Sequence, residues 1–125
     1  MGVNFLEESA LEMVAETFQV LSVPLRLAIL QQLQGGPLSV GEICRKLTTS
    51  QPNVSKHLKL LHGSDLVRKR QKGNTVFYEI ADPMVYHLCE LVCNGLQKKL
   101  SKQIQVFAPK PKKISKKAKT LRSVS

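Results

Sequence analysis

With 125 residues, 42% of them hydrophobic, the chain has room for one compact core and little more. Nineteen Lys and Arg against nine Asp and Glu leave a formal charge of +10, a balance that favours polyanionic partners. No apolar run approaches the roughly 18 residues that cross a bilayer, and Glu stands where a secretory signal carries Lys or Arg. With three cysteines, an odd number, reduced thiols, a cytoplasmic setting and no membrane partner are expected.

The charge is unevenly spread. Residues 1 to 25 hold Glu7, Glu8, Glu12 and Glu16 and no base. From Pro37 to Lys72 eight bases (Arg45, Lys46, Lys56, Lys59, Arg68, Lys69, Arg70, Lys72) stand against Glu42 and Asp65, a net +6. The middle of the chain is therefore the expected basic surface.

In chain order, Asn4 followed by Glu7 resembles a capping pair, and Leu11, Val14, Ala15, Phe18 and Leu21 recur at helical spacing. They predict a first helix over 5–21. Pro24 suits the first turn of a second helix, Leu25 to Leu33, ended by Gly35-Gly36-Pro37. Ser39-Val40-Gly41-Glu42 fits a capping box and predicts a third helix from Val40 to Leu47, with Val40, Ile43, Cys44 and Leu47 on its packing face. Thr48-Thr49-Ser50 is a tight turn, with Ser50 as cap, Pro52 in the first turn and Gly63 as the stop of a fourth helix. Two short helices so joined make a helix-turn-helix.

Leu66 to Gln71 and Thr75 to Ile80 flank Lys72-Gly73-Asn74 and predict a two-stranded hairpin leaning on the helices through Leu66, Val76, Tyr78 and Ile80. Asp82-Pro83 opens a last helix, Met84 to Gln103, whose apolar positions form an arc too wide for one side of a small core. Homodimerisation is the economical reading, with Ala10, Met13 and Val20 of the first helix joining the contact. After Phe107 the segment APKPKKISKKAKTLRSVS has one charge sign and low hydrophobicity, so disorder is expected. The domain reading is therefore 1–107 as one folded and dimerising unit and 108–125 as a basic tail. The fold expected is mainly α with a small β-hairpin: helix, helix, helix-turn-helix, hairpin, helix, dimeric through the first and last helices.

That order describes a winged helix-turn-helix. The runs VPLRLAILQQL, SVGEICRKL and SQPNVSKHLKLLHGSDLVRKRQKGNTVFYEI resemble the ArsR/SmtB family of bacterial repressors, over about residues 10 to 100. The resemblance implies a regulator that binds double-stranded DNA at a palindromic operator as a homodimer. It matches Gln51, Ser55 and Lys56 to positions that approach bases in the major groove, with Ser50, Asn53, His57 and Lys59 beside them. On the hairpin, Arg68, Lys69, Arg70, Lys72 and Asn74 would hold the backbone or minor groove. Gln pairs bidentately with adenine and Lys suits guanine or phosphate, so the residue types agree with the role. The plainer reading of any one of them is a helix cap or a solvated cation.

Repressors of this kind release DNA when a metal ion or oxidant changes the dimer. Where the family carries a Cys-x-Cys pair on the third helix this chain has Ser39 and Gly41, and where its last-helix zinc site begins Asp-x-His this chain has Asp82-Pro83-Met84, with Gly95 and Lys98 at the later positions. No metal or cofactor is required on this reading. Cys89, Cys93 and Cys44 are left as candidates for a thiol-directed signal, either a soft metal or metalloid held by thiolates or an oxidant. Cys89 and Cys93 lie four apart, about 5 to 6 Å between Cβ atoms on a helix, too far for an unstrained disulfide within the helix. The plainer reading makes all three small buried hydrophobes. His57, His62 and His87 form no spaced ligand set.

A competing class is an architectural, largely non-specific DNA binder, because a winged helix followed by a Lys-rich tail also resembles the plan of a linker histone. An acidic first helix and a wide apolar last helix favour the dimeric regulator. With no phosphate-cradling Gly loop, paired carboxylates or Cys-His-acid set, an enzyme is not expected.

Overall fold

A computed structural model of the chain describes residues 6–101. Five helices and three short strands follow in the order α1 (Glu8–Leu21), α2 (Pro24–Leu33), β1 (Leu38–Ser39), α3 (Val40–Leu47), α4 (Gln51–Gly63), β2 (Val67–Lys72), β3 (Thr75–Ile80) and α5 (Met84–Leu100). This is a winged helix-turn-helix, mainly α with a small antiparallel sheet.

Local chemistry sets most of the boundaries. Pro24 occupies the first turn of α2, where no amide partner is needed. At α3 the capping box closes in both directions: Glu42 N donates to Ser39 Oγ at 3.2 Å, and Ser39 N donates to Glu42 Oε1 at 2.9 Å. Its C-cap, Thr48, is left-handed at φ 51° and turns its N–H back to Cys44 O. Gly63, expected as the stop of α4, is instead its last helical residue. The left-handed position falls on Asp65 at φ 59°. Leu66 N reaches Leu61 O at 3.0 Å and Asp65 N reaches His62 O at 3.0 Å, a Schellman closure whose two apolar partners, Leu61 and Leu66, are both buried.

The expected two-stranded ribbon is a three-stranded sheet of order β1-β3-β2. Leu38 and Ser39 pair with Tyr78 and Phe77, so the residues that lead into the capping box also tie the wing to α3. Between β2 and β3 the register runs from Val67↔Ile80 to Lys72↔Thr75 and leaves a two-residue turn, Gly73-Asn74. Of these two only Gly73, at φ 65°, has positive φ, the pattern of a II′ rather than a I′ turn.

The core gathers Leu21, Ala28, Ile29, Leu30, Leu33, Ile43, Leu47, Val54, Leu58, Leu61, Leu66, Val67 and Val85. Tyr78 and Ile80 pack against it from the wing, but Val76 is outside that set. Leu60 of α4 is exposed. Tyr86 bolts α5 to α2 by donating its hydroxyl to Leu30 O at 2.6 Å, with burial holding its pKa above the ordinary value, helped by Cys89.

The first helix departs from expectation. It starts at Glu8, with Glu7 at the N-cap and no side-chain cap bond; Asn4 lies outside the described residues. Of its main stripe only Leu21 is buried, whereas Leu11, Val14 and Phe18 are exposed. Helical spacing identifies an apolar face but not what covers it, and within the described residues the Leu11, Val14 and Phe18 part of this face is left uncovered. Met84, Leu91, Val92 and Leu96 of α5 are exposed as well. The expected last turn of α5 to Gln103 and the tail from Ala108 fall outside the described residues.

Candidate nucleic-acid interface

The turn between α3 and α4 is built by its own side chains. Ser50 is the N-cap of α4, its hydroxyl accepting from Asn53 N at 3.3 Å, and Asn53 Nδ2 donates to Thr49 Oγ1 at 3.1 Å. Ser50 and Asn53, both read as DNA contacts, are thus engaged in shaping the turn. From there α4 divides cleanly. Val54, Leu58 and Leu61 are fully buried, while Gln51, Ser55, Lys56 and Lys59 are exposed on the opposite side. Gln51, Ser55 and Lys59 recur every four residues and so share one stripe, with Lys56 beside it. A helix N-terminus carrying positive dipole, a long amide side chain and two cations point outward together.

His57 does not belong to that set. Expected in the open, it is only 8% exposed. It falls on the inward stripe because it sits three residues after Val54 and four before Leu61, a spacing legible from the helical repeat. Arg26 Nε donates to its Nδ1 at 3.0 Å, and Arg26 Nη1 donates to Val20 O at 3.1 Å. Burial first, then the positive charges of Arg26 and Lys56, hold the imidazole below its ordinary pKa. Arg26 gives no signal in the sequence; in the fold it joins the end of α1 to the middle of α4.

The wing packs on α4 through β2. Alternation puts Arg68, Arg70 and Lys72 on one face of β2, with Lys69 and Gln71 on the face of buried Val67. All of these polar residues are exposed, as is Asn74 in the turn. Glu79 of β3, directly opposite Arg68, does not stand out in the sequence. It accepts from Arg68 Nε at 2.9 Å and from Arg70 Nη2 at 3.1 Å.

The thiols are dispersed. Cys44 and Cys89 are half-buried and pack against the core, and Cys93 is exposed. Burial, and then the neighbouring Cys93, raise the Cys89 pKa, which disfavours the reactive thiolate there. Among the described residues no group of three or more His, Cys, Asp or Glu could hold a metal ion. No single helix among them is long and apolar enough to cross a membrane.

Residues 23–69 match the family model described as bacterial regulatory protein, arsR family. The chain is 34% identical over 86 residues to the HTH-type transcriptional repressor SmtB of Mycobacterium tuberculosis, a match covering 69% of this chain and 62% of SmtB. It is 35% identical over 85 residues to the transcriptional regulator NmtR of the same organism, covering 68% of this chain and 71% of NmtR. In structure it resembles a homodimeric winged helix-turn-helix DNA-binding domain, Mb0332 of Mycobacterium bovis, at TM-score 0.67 and 29% identity, over 80% of this chain and 94% of the other. The match of residues 23–69 spans α2, the helix-turn-helix and the start of the wing, the segment that builds the exposed stripe of α4; the chain belongs to the ArsR family of bacterial regulatory proteins.

Proposed function

We propose that the chain is a sequence-specific transcriptional regulator, acting as a repressor, that binds a palindromic operator as a homodimer in the cytoplasm. The observation that carries this reading is the division of α4. Three apolar residues fix the helix to the core with no exposure, while Gln51, Ser55, Lys56 and Lys59 stand free on its other side. In the bound state α4 lies in the major groove, Gln51 and Lys56 meet base edges, and Lys59, Lys69, Lys72 and the wing arginines meet phosphates, contacts that position without specifying. Residues 1–107 form the binding and dimerising unit, and 108–125 a basic tail that adds non-specific attraction.

Dimerisation covers the exposed apolar faces of α1 and α5, which carry Leu11, Met13, Phe18, Leu91 and Val92. Both helices lie outside the helix-turn-helix itself. The two copies of α4 then face successive turns of the duplex, about 34 to 36 Å apart. Cys93, exposed on α5 beside half-buried Cys89, is where a thiol-directed signal would enter that contact.

The experiment is an anisotropy titration of the reduced full chain on a duplex from its own promoter and on a random duplex of equal length. A promoter affinity at least about a thousandfold the tighter of the two supports the reading. Equal affinity for both duplexes rejects it in favour of an architectural role.

A further inference from the structure

The wing carries four cations, Arg68, Lys69, Arg70 and Lys72, and one acid, Glu79. Extending the basic surface from Pro37 on to Ile80 therefore lowers its charge from +6 to +5, because the same eight bases now face Glu42, Asp65 and Glu79. That acid is not a bystander. Register sets Glu79 opposite Arg68, and alternation brings Arg70 to the same face. Both guanidinium groups donate to one carboxylate: Arg68 Nε to Oε2 at 2.9 Å, and Arg70 Nη2 to Oε1 at 3.1 Å and to Oε2 at 3.4 Å. The carboxylate side chain is 16% exposed beneath arginine side chains that are 59% exposed.

We infer that Glu79 is a positioning residue that sets the wing's affinity for phosphate: it holds Arg68 and Arg70 side by side and cancels one of their two charges, which limits non-specific binding. The inference rests on the DNA-binding reading above. Two effects oppose each other at this carboxylate. Holding the arginines in place favours a bound geometry, but an ion pair between exposed groups is a weak restraint. Cancelling a charge removes one counterion-releasing contact from each copy, and that contribution acts on every duplex regardless of sequence. The charge effect therefore dominates: it lowers affinity for random DNA and operator alike, and the discrimination between them is left to α4.

The test is the salt dependence of full-chain binding to a random duplex, measured for wild type, Glu79→Gln and the doubly substituted Arg70→Gln/Glu79→Gln. Gln keeps a carbonyl that accepts from an arginine, so geometry is retained while charge is removed. The single variant is expected to bind random DNA more tightly at low salt, with a log–log slope steeper by about 0.9 for each additional phosphate neutralised. The double variant, restored to the wild-type net charge, is expected to return to the wild-type slope. Glu79→Thr, which suits a strand and carries no charge, must reproduce the steeper slope if Gln loosens the hairpin. An unchanged or shallower slope in the single variants overturns the inference, and so does a double variant that stays steep. A wild type without salt-dependent DNA binding would instead reject the DNA-binding reading itself.

Discussion

Arg26 of α2 donates its Nε–H to Nδ1 of His57 on α4 across 3.0 Å, while its Nη1 donates to Val20 O near the end of α1. The bond requires Nδ1 to be bare, so His57 is neutral with its proton on Nε2. One guanidinium thus ties the first helix to the helix that presents Gln51, Ser55 and Lys56. The same bond makes protonation of His57 unfavourable in the folded chain.

Stability should therefore fall on acidification through this histidine. The folded pKa lies below the ordinary 6.5, with burial the first cause and the Arg26 charge next. The unfolded chain accordingly binds more protons in that range. The contribution of His57 is fully present above about pH 6.5 and fades as pH falls from there through the folded value. Urea denaturation from pH 8 to pH 5 is expected to show the gap between wild type and His57→Gln narrowing as pH drops. A constant gap contradicts the assignment.

Base reading and phosphate binding should separate on α4. Gln51→Ala is expected to cost about 1 to 3 kcal/mol on the operator and little on random DNA, with the salt slope unchanged. Lys59→Ala should weaken both duplexes alike and flatten the slope by about 0.9 for each phosphate left without its cation. Titrations of the two variants at several salt concentrations distinguish these patterns.

Breaking the interface between copies should leave each copy folded. Leu91 is 69% exposed and Phe18 is 53% exposed in the single chain, so Leu91→Glu and Phe18→Glu remove nothing from the core. Sedimentation is expected to show monomers with unchanged helical circular dichroism. Operator affinity should fall by about 100-fold or more as the second half-site becomes a separate binding event. Dimers that persist in both variants would place the interface elsewhere.

Caps and core differ in energetic weight. Ser39→Ala removes the oxygen that accepts Glu42 N at 3.2 Å and should cost about 1 kcal/mol. Leu58→Ala empties a fully buried site beneath α4 and should cost about 2 to 5 kcal/mol. Denaturant midpoints at constant slope test both.

Much of this arrangement is legible in the residues because its causes are local. The capping box of Ser39 and Glu42, Pro24 in a first turn, Ser50 ahead of Pro52, and Gly73 in a tight turn each settle a boundary within four residues of themselves. What escapes depends on distant partners. Leu38 and Ser39 become a strand only because Tyr78 and Phe77 lie alongside. Tyr86 finds Leu30 across the fold. Glu79 matters through its register with Arg68, which no spacing along one strand reveals. The stripe of α1 is visible in the sequence, yet its exposure is not, since periodicity is blind to whether the covering surface comes from the same chain. His57 differs from these: its polar residue type points outward, but its helical position puts it inside, and position wins.

The most direct measurement is amide chemical-shift mapping of the isotope-labelled full chain during titration with its operator duplex. The largest perturbations are expected at Gln51, Ser55, Lys56 and Lys59 and along the wing from Arg68 to Asn74, with Glu8, Glu12 and Glu16 of α1 little changed. Perturbations centred on the acidic side of α1 or on α5, with α4 silent, would contradict recognition through α4.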